Sequence, residues 1–575
     1  MPVVRRPIES LKIVRIESRV SALDASPAIR PEAKPARRGA ALPSRAHLVL
    51  VLILVLALLG HLHFANVTID DAFISFRYAE NLVHGRGLVF NVGERVEGYS
   101  NFLWTVLLAV PIALKVDRFE LGLLATAKVV GVLFSLATLG LTSLTARLGR
   151  SSADGHSAPL SALYLATLAP FLFWGVGALE TPLVTCLLML AFSLHLREDL
   201  AISRGAPSVP FSYPVLLLAA LTRPEPLILF APLAALRLWR VLRAGGLRRT
   251  FRREVGYLLL FAVPYAALVA GRFGYYGQLV PNTYFAKVHG DPHTTERGAR
   301  YLASALSRLN IGPLLLFGGA CVLLGQRLPY RAYAALSWCA VYLSAIGFEG
   351  GDWMPAARML VPVLPLIALL VHELWLMAGA LSPPPWVAKV GGALRLIDLD
   401  TLSRPIGLRL LRGTARAVLL LLLATGSYAN FRAVMLPERL SGFYGLRLDH
   451  SRHFTIARWI SRELREPGLL ALGEAGLIPY YTKRPVLDLL GLMDAHLARL
   501  PGEMHRKFDA NYVLARRPRF VLLFVTRDRD GSLRSDQLYA EVLLADARFL
   551  RDYSPMHDFG HAILYARRTV APEAG

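Results

Sequence analysis

The chain has 575 residues, of which 54% are hydrophobic, and a formal net charge of +23. Apolar runs near the ~20 residues that span a bilayer recur along it, which excludes a soluble globular protein and indicates a polytopic membrane protein. The Arg residues lie mostly in short segments between these runs rather than along aromatic-lined stripes, so no nucleic-acid partner is expected. The three cysteines lie in apolar segments and indicate neither a disulfide framework nor a zinc site.

Three regions are predicted in chain order. Residues 1–46 are rich in Arg, Pro and Ala without periodicity, which predicts a disordered basic cytoplasmic tail. Residues 47–432 hold the apolar runs, and the first run lacks a clear small-residue cleavage site, so it is predicted to be an uncleaved anchor. Residues 433–575 have a mixed composition, which predicts a water-soluble domain.

The membrane region is predicted to cross the bilayer about 11 times, through short and long apolar spans. Residues 102–114 are apolar as well, but this segment is short and holds Pro111, so it is predicted to be an interfacial or re-entrant helix. The eleven predicted spans are 47–64, 121–146, 158–176, 178–196, 211–222, 225–238, 255–273, 311–326, 332–348, 358–379 and 415–432.

Basic residues give the orientation, because loops with excess Lys and Arg stay cytoplasmic. These spans put the basic loops on the side of the tail, including the Arg-rich segment 237–253 and the loop with Lys389, Arg395 and Arg404. An odd number of crossings then leaves residues 433–575 outside the membrane.

The C-terminal region 433–575 is predicted to be a soluble α/β domain, because candidate strands alternate with helices such as Phe454 to Leu464. The candidate strands are Leu469 to Leu472, Val486 to Leu490 and Phe520 to Val525.

Two adjacent carboxylates, Asp70 and Asp71, follow the first span and begin a predicted helix. Neighbouring Asp side chains raise each other's proton affinity and can share a cation, which suits a general base at the membrane boundary. The alternative is a helix cap, since Asp is favoured before a first helical turn. A helix from Asp70 also puts Arg77, Asn81 and His84 on a related face, because steps of three, four and seven residues return to one side.

The other polar motifs nearly all fall in predicted outside loops, which indicates one shared polar cavity at the outer membrane face. A purely structural explanation remains open for each of these motifs. Arg223 and Glu225 are explained as well by an ion pair in a helical hairpin, and the Trp residues by an interfacial aromatic belt. Pro281-Asn282-Thr283 is explained as well by a turn.

Together these motifs resemble the GT-C glycosyltransferases that use polyprenyl-phosphate sugars, particularly the mycobacterial terminal arabinofuranosyltransferases. At Ala178 and Pro226 the chain departs from the group, whose pattern favours Gly before Leu-Glu and Gly after Arg-Pro-Glu. The segments that carry the resemblance are 70–79, 96–104, Leu179-Glu180-Thr181, Thr222-Arg223-Pro224-Glu225, Pro281-Asn282-Thr283-Tyr284 and Gly350-Gly351-Asp352-Trp353, with 473–481 and 488–494 in the soluble domain.

The resemblance implies a lipid-linked donor on the extracytoplasmic face and a catalytic acidic residue in the first outside loop. Asp70 is expected to be the general base of an inverting displacement, and Asp71 to orient it or to bind a divalent cation, Mg²⁺ or Ca²⁺, with Asp70. The expected donor-phosphate ligands are Arg77, Arg223, Lys287 and Arg358. The expected sugar and acceptor ligands are Glu97, Tyr99, Asn101, Trp104, Glu180, Glu225, Asn282, Tyr284, Asp352, Trp353 and Asp488.

The expected function is therefore transfer of a sugar, with arabinofuranose as the candidate, from a polyprenyl phosphate to a cell-envelope glycan or glycolipid. The expected location is the bacterial inner membrane, with a cytoplasmic amino terminus and an extracytoplasmic C-terminal domain. Two alternatives stay open at this point. One is a ligase that uses a pyrophosphate-linked lipid donor, and the other is a lipid-sugar transporter, which would open its cavity to both faces in turn.

Overall fold

The computed structural model describes residues 45–115, 122–150, 157–243, 247–382, 405–435 and 451–568. Most of the predicted tail and the loop with Lys389, Arg395 and Arg404 lie outside these residues. The helices longer than ten residues are Arg45–His63, Ala72–Val83, Phe102–Ala113, Gly122–Arg147, Thr181–Ser203, Ser212–Thr222, Phe230–Arg243, Leu247–Tyr276, Thr294–Arg308, Ile311–Leu323, Tyr330–Glu349, Leu364–Gly379, Pro405–Met435 and Arg452–Glu463. The shorter helices are Pro159–Thr167, Ala169–Gly175, Asn282–Lys287, Leu477–Thr482, Ala495–Ala498, Ala510–Ala515, Leu538–Ala545 and Ala547–Asp552, with 3-10 turns at Glu225–Leu229 and Arg358–Val363.

Six of the described helices are long and apolar enough to cross a membrane, and a bent pair, Thr294–Arg308 with Ile311–Leu323, gives a seventh span if it counts as one. The predicted number of eleven includes segments that form shorter helices. The predicted span 158–176 forms two helices that meet at Leu168, and 211–222 forms a helix of 11 residues. The exact number of crossings therefore stays a prediction.

The predicted interfacial segment forms the helix Phe102–Ala113, with Pro111 inside it. Its 12 residues are short of the ~20 that a transmembrane helix needs. It packs along Ala72–Val83, the helix that follows the first span, so the loop predicted to lie outside is a compact helical layer.

Burial separates the lipid-facing helices from the central ones. Only 17% of the apolar window in Arg45–His63 is buried, and its exposed residues are mostly leucine and valine, as expected for a helix in lipid. In the segment Arg358–Gly379 the buried share is 78%. This segment therefore lies in the middle of the bundle, and its first residue, Arg358, enters the polar region described below.

The strands of the C-terminal region are β1 (Leu470–Leu472), β2 (Val486–Asp488), β3 (Phe520–Phe524), β4 (Thr526–Arg527), β5 (Leu533–Arg534), β6 (Tyr553–Asp558) and β7 (Ala562–Arg567). Five of them form a sheet in the order β2-β1-β3-β7-β6, and β4 and β5 form a separate hairpin. β1 pairs in parallel with β2 and β3, whereas β7 pairs antiparallel with β3 and β6. The predicted strands and helix are thus confirmed to within a few residues.

The two faces of the sheet pack against different cores, because successive side chains of a strand point to opposite faces. Leu470 and Leu522 join the large hydrophobic cluster that includes the membrane helices. Ala471 and Val521 join a second cluster formed within the C-terminal region. The first face therefore brings the carboxyl ends of β1 and β2 close to the first outside loop.

Candidate functional site

A polar cavity of about 230 Å³ lies between the first outside loop, the hairpins of the helical bundle and the C-terminal region. It brings together charged side chains that are far apart in the sequence, as the outside clustering of the motifs predicted. The polar residues that line it are Asp71, Ser75, Tyr99, Ser100, Asn101, Glu180, Arg223, Glu225, Thr283, Tyr284, Lys287, Glu349, Asp352 and Arg358.

Asp71 is the member of the adjacent pair that lines this cavity. It occupies the N-cap position of helix Ala72–Val83, yet its side chain makes no capping hydrogen bond, so the cap interpretation does not account for it. Burial raises the pKa of Asp71 to about 6, and the positive charges of Lys287 and Arg358 oppose this rise. An uncapped carboxylate with a pKa near neutrality is suited to accept a proton.

Asp70 points to the C-terminal region instead. Its carboxylate oxygens accept hydrogen bonds from the backbone N–H groups of Gly476 at 3.0 Å and Leu477 at 2.8 Å. His453 Nδ1 lies 3.4 Å from Asp70 Oδ1. A Cβ at position 476 would come within 2.1 Å of the Asp70 carbonyl oxygen, so the contact requires glycine. Asp70 is not among the residues that line the cavity, and its expected role as the base stays a prediction.

Helical periodicity explains this division of the pair. Arg77 lies seven residues after Asp70, and both contact the segment around helix Leu477–Thr482. Ile74 and Ser75, three and four residues after Asp71, line the cavity with it. One face of the helix thus serves the cavity, and the other joins the C-terminal region to the membrane part.

A network of buried charges forms one wall of the cavity. Arg223 Nη1 donates to Glu180 Oε1 at 2.7 Å, and its guanidinium also pairs with Glu225. Asn101 Nδ2 donates to the second oxygen of Glu180 at 2.9 Å and to Ser75 Oγ at 3.0 Å. Glu180 is buried, so its carboxylate depends on these two partners for its hydrogen bonds. The ion pair between Arg223 and Glu225, expected as the structural alternative to a role in binding, is present and lies in the cavity wall.

A second charged pair, Asp352 and Arg358, forms the adjoining wall. Arg358 Nε donates to Asp352 Oδ2 at 2.7 Å, and the guanidinium lies 5.7 Å from the ring centroid of Trp174. Burial disfavours charge on Asp352, yet Arg358 and Lys287 hold its pKa below its usual value. Ala356 and Ala357, just before Arg358, have φ angles of 56° and 46°. Left-handed backbone at non-glycine residues costs free energy and is typical of functional sites.

Ala178, the position where the chain departs from the group pattern, has a φ of 58°. Glycine adopts this left-handed conformation without a steric cost, whereas alanine does so at a cost of about 1–2 kcal/mol. The glycine favoured in the group therefore matches a requirement of the backbone two residues before Glu180. The departure changes strain beside the cavity and leaves its charges in place.

Lys287 differs from the other two cations of the cavity in its ionic contacts. Arg223 and Arg358 both pair with carboxylates, whereas within the described ranges no carboxylate lies within ion-pair distance of the Lys287 ammonium. It ends the short helix Asn282–Lys287, which follows the turn at Pro281. Lys287 is consequently available to an anionic group that enters the cavity.

Arg77 is not among the residues that line the cavity, and its expected role as a donor-phosphate ligand stays a prediction. Its guanidinium donates to the carbonyls of Phe90 at 2.8 Å, Pro479 at 2.8 Å and Arg484 at 2.7 Å, and to Asn91 Oδ1 at 3.3 Å. It is 7% exposed and lies 4.3 Å from the Phe90 ring centroid. Arg77 therefore joins the first loop to the C-terminal region.

Arg77→Met should destabilise the protein by about 2–4 kcal/mol without changing the activity of the folded fraction, because buried acceptors lose their donor. Thermal unfolding in detergent, followed by activity per folded molecule, measures both effects. The matched control is Arg86→Met on the exposed end of the same segment, which should shift stability by no more than about 0.5 kcal/mol. An equal loss in both variants, or a purely catalytic defect in Arg77→Met, contradicts this role.

Several other predicted ligands also lie away from the cavity. Asn282 donates to the carbonyls of Gly491 and Leu492 and so attaches its turn to the C-terminal region. Glu97 pairs with Arg272, and Trp104 is buried in the core. The Asp488 carboxylate accepts hydrogen bonds from the backbone N–H groups of Leu490 and Met493. The ring of Trp353 contacts His505.

Some residues that line the cavity were not predicted from the sequence. Glu349 ends helix Tyr330–Glu349 and lines the cavity, and the following Gly350-Gly351 motif was a signal for it. Leu492 and Met504 bring the C-terminal region into the same lining. Gly351 has a φ of 71°, and a Cβ there would lie 2.6 Å from the Tyr301 ring, so the turn after Glu349 requires glycine.

Comparison with known proteins agrees with the resemblance. The chain is 35% identical over 236 residues to a terminal β-(1→2)-arabinofuranosyltransferase of Mycobacterium tuberculosis, which covers 38% of the chain and 34% of that relative. A terminal β-(1→2)-arabinofuranosyltransferase of Corynebacterium glutamicum is 29% identical over 338 residues, which covers 52% of the chain and 46% of the relative. The chain thus spans between a third and a half of the length of these curated relatives.

Comparison with a solved structure identifies the fold. ArnT from Cupriavidus metallidurans, crystallised with undecaprenyl phosphate, superposes with a TM-score of 0.51 at 17% identity and covers 91% of this chain and 98% of ArnT. The chain has a GT-C membrane fold. The predicted fold class, a multi-pass helical membrane protein with a C-terminal sheet, is therefore confirmed. Residues 444–572 also match a domain of unknown function, DUF8728, which includes the sheet.

Proposed function

We propose that this GT-C protein is an integral membrane glycosyltransferase that moves a sugar from a polyprenyl-phosphate donor to a cell-envelope glycan or glycolipid. The observation that carries the proposal is that an uncapped carboxylate, Asp71, and an available cation, Lys287, line the same cavity. Both curated relatives are arabinofuranosyltransferases, so arabinofuranose is the first sugar to test. The undecaprenyl phosphate bound to ArnT supports a polyprenyl-phosphate donor.

In the proposed reaction, an acceptor hydroxyl attacks the anomeric carbon of the donor sugar. The new glycosidic bond forms as the bond from the anomeric carbon to the phosphate oxygen breaks, so the configuration inverts. Asp71 takes the hydroxyl proton, and the electron pair of the broken bond leaves on the polyprenyl phosphate. Because its pKa is about 6, Asp71 is largely ionised at neutral pH and is ready to act as a base.

The charges around Asp71 suit the remaining steps. Lys287 would stabilise the negative charge that develops on the departing phosphate, since fixed charges aimed at a transition state usually give the largest catalytic effect. Arg358 would add to this field while Asp352 holds it in place. Glu180 and Glu225, held by Arg223, would position sugar hydroxyls as acceptors of their hydrogen bonds.

The proposed location is the bacterial inner membrane, with the cavity and the C-terminal region on the extracytoplasmic side and the amino terminus in the cytoplasm. The distribution of basic residues supports this orientation. Arg77 attaches the loop after the first span to the C-terminal region, and Asn282 attaches the loop after helix Leu247–Tyr276 to it, which supports placing these loops and the C-terminal region on one side.

The test is sugar transfer by the purified full chain in detergent or nanodiscs, with synthetic polyprenyl-phosphate arabinofuranose and an arabinan oligosaccharide acceptor. We expect acceptor elongation and release of polyprenyl phosphate, measured by mass spectrometry and thin-layer chromatography. A matched reaction uses the pyrophosphate-linked sugar and should give no product. Transfer only from the pyrophosphate donor would instead support a ligase, and donor translocation in vesicles without transfer would support a transporter.

A further inference from the structure

We propose that Asp70, His453 and Glu474 bind one divalent metal ion of the Zn²⁺ type, at a site distinct from the cavity around Asp71. The three side chains each offer one ligand atom, and these atoms all lie within 4.8 Å of one another. Zinc–ligand bonds of about 2.0–2.2 Å in a tetrahedral site place the ligand atoms about 3.3–3.6 Å apart, so small side-chain movements would complete the geometry.

The three ligands come from separate elements that the fold brings together. Asp70 precedes helix Ala72–Val83, and His453 lies in the first turn of helix Arg452–Glu463. Glu474 lies two residues after the end of β1. The crevice beyond the carboxyl ends of parallel strands is a common place for ligand binding in α/β folds. The backbone bonds from Gly476 and Leu477 fix the orientation of Asp70 and leave lone pairs on both of its oxygens.

A second cavity, of about 330 Å³, gives access to this cluster and is lined by His453 and Glu474. Within the described residues the carboxylate of Glu474 accepts no hydrogen bond, although its charged form is costly at such a partly enclosed position. His561 lines the same cavity, and its Nε2 is buried without a hydrogen-bond partner among the described residues. Unsatisfied polar groups around one cavity point to a missing ligand.

The donor set selects the type of ion. Mg²⁺ and Ca²⁺ prefer oxygen ligands, whereas an imidazole beside two carboxylates suits Zn²⁺ and neighbouring transition metals. Three protein ligands leave one position of a tetrahedral zinc site for a water molecule in the second cavity. This assignment differs from the Mg²⁺ or Ca²⁺ expected at Asp70 and Asp71, because Asp71 faces the other cavity.

The ion would link two parts of the molecule. Asp70 belongs to the first outside loop, and His453 and Glu474 belong to the C-terminal region. Bound metal would therefore strengthen the same contact that Arg77 makes about two helical turns further along. Metal that binds the folded protein more tightly than the unfolded chain raises the thermal unfolding midpoint.

The experiment measures metal content and needs no activity assay, so its failure is distinguishable from failure of the proposed function. The full-length protein in detergent is stripped with EDTA, dialysed against ZnCl₂ and then against buffer, and analysed by inductively coupled plasma mass spectrometry. We expect one zinc per chain in the wild type. His453→Gln and Glu474→Gln should each weaken zinc binding by at least tenfold, since losing even an outer partner of a metal ligand costs roughly 10–100-fold.

The matched control is Asp536→Asn, which removes another carboxylate of the second cavity outside the cluster. It should keep its zinc, and Mg²⁺ or Ca²⁺ should not compete in the wild type. Size-exclusion profiles identify variants that fail to fold, and for these the zinc-dependent rise in the wild-type unfolding midpoint is the deciding measurement. Zinc content in the wild type no higher than in His453→Gln, or an equal loss in Asp536→Asn, overturns the proposal in favour of a metal-free His453–Asp70 ion pair.

Discussion

Asp71→Asn should abolish sugar transfer while the protein stays folded. The amide keeps the size of the side chain but cannot take the acceptor proton, and a positioned general base is worth roughly 10²–10⁴-fold in rate. Because the Asp71 side chain makes no capping bond, its replacement should cost little stability. Turnover of the polyprenyl-phosphate donor, measured with saturating substrates, gives the loss in kcat.

Asp70→Asn is the matched control, one residue away and chemically identical. An amide offers one oxygen where the carboxylate accepts bonds from both Gly476 and Leu477, so this variant should lose about 1–3 kcal/mol of stability. Its kcat per folded molecule should stay within about tenfold of the wild type, far above that of Asp71→Asn. If Asp70→Asn instead loses kcat as completely as Asp71→Asn does, or more so, the assignment of the base moves back to Asp70.

The architecture was accessible from the sequence because hydropathy and strand periodicity are local signals. The long apolar helices such as Gly122–Arg147 and the parallel strands at Leu470 and Val486 follow directly from them. Short helices were harder to interpret. A segment such as 158–176 reads as one span, although the chain breaks at Leu168, where Pro170 lies at the start of the next helix.

The sequence also predicted a polar region in the loop after the first span, but it did not predict which of the two aspartates lines the cavity. Asp70 and Asp71 are adjacent in the chain, yet only Asp71 is among the residues that line the cavity. The choice depends on Gly476 and Leu477, which lie 406 and 407 residues away in the chain and provide the bonds to Asp70. Sequence periodicity correctly paired Asp70 with Arg77 on one face, but it could not identify what that face contacts.

The same limit applies to the predicted ligands. Arg223, Arg358 and Lys287 all line the cavity, yet only contacts between distant loops show that two of them already have carboxylate partners. Trp104 and Asp488 are buried elsewhere for packing and turn formation. Residue type and side of the membrane therefore predict membership of a polar region better than they predict a role.

The difference between the three cations leads to the second large effect, which is expected for Lys287→Met. Methionine has an unbranched side chain of similar length to that of lysine but carries no charge. The departing phosphate therefore loses its available cation. We expect kcat/KM for the polyprenyl-phosphate donor to fall by about 10²–10³-fold, the usual cost of removing one preorganised stabiliser of a developing charge. Since the ammonium pairs with no carboxylate in the described ranges, stability should change little.

Lys287→Arg separates charge from geometry, because arginine restores the positive charge with a planar, bidentate donor. It should recover part of the lost kcat/KM, whereas a merely structural lysine would give similar activity in both variants. Steady-state kinetics with varied donor, together with unfolding midpoints, measures the two effects. An unchanged kcat/KM in Lys287→Met would show that the phosphate charge is met elsewhere. Arg358 and Arg223 are the remaining cavity cations, and each would have to loosen its hold on Asp352 or on Glu180 and Glu225 to take that part.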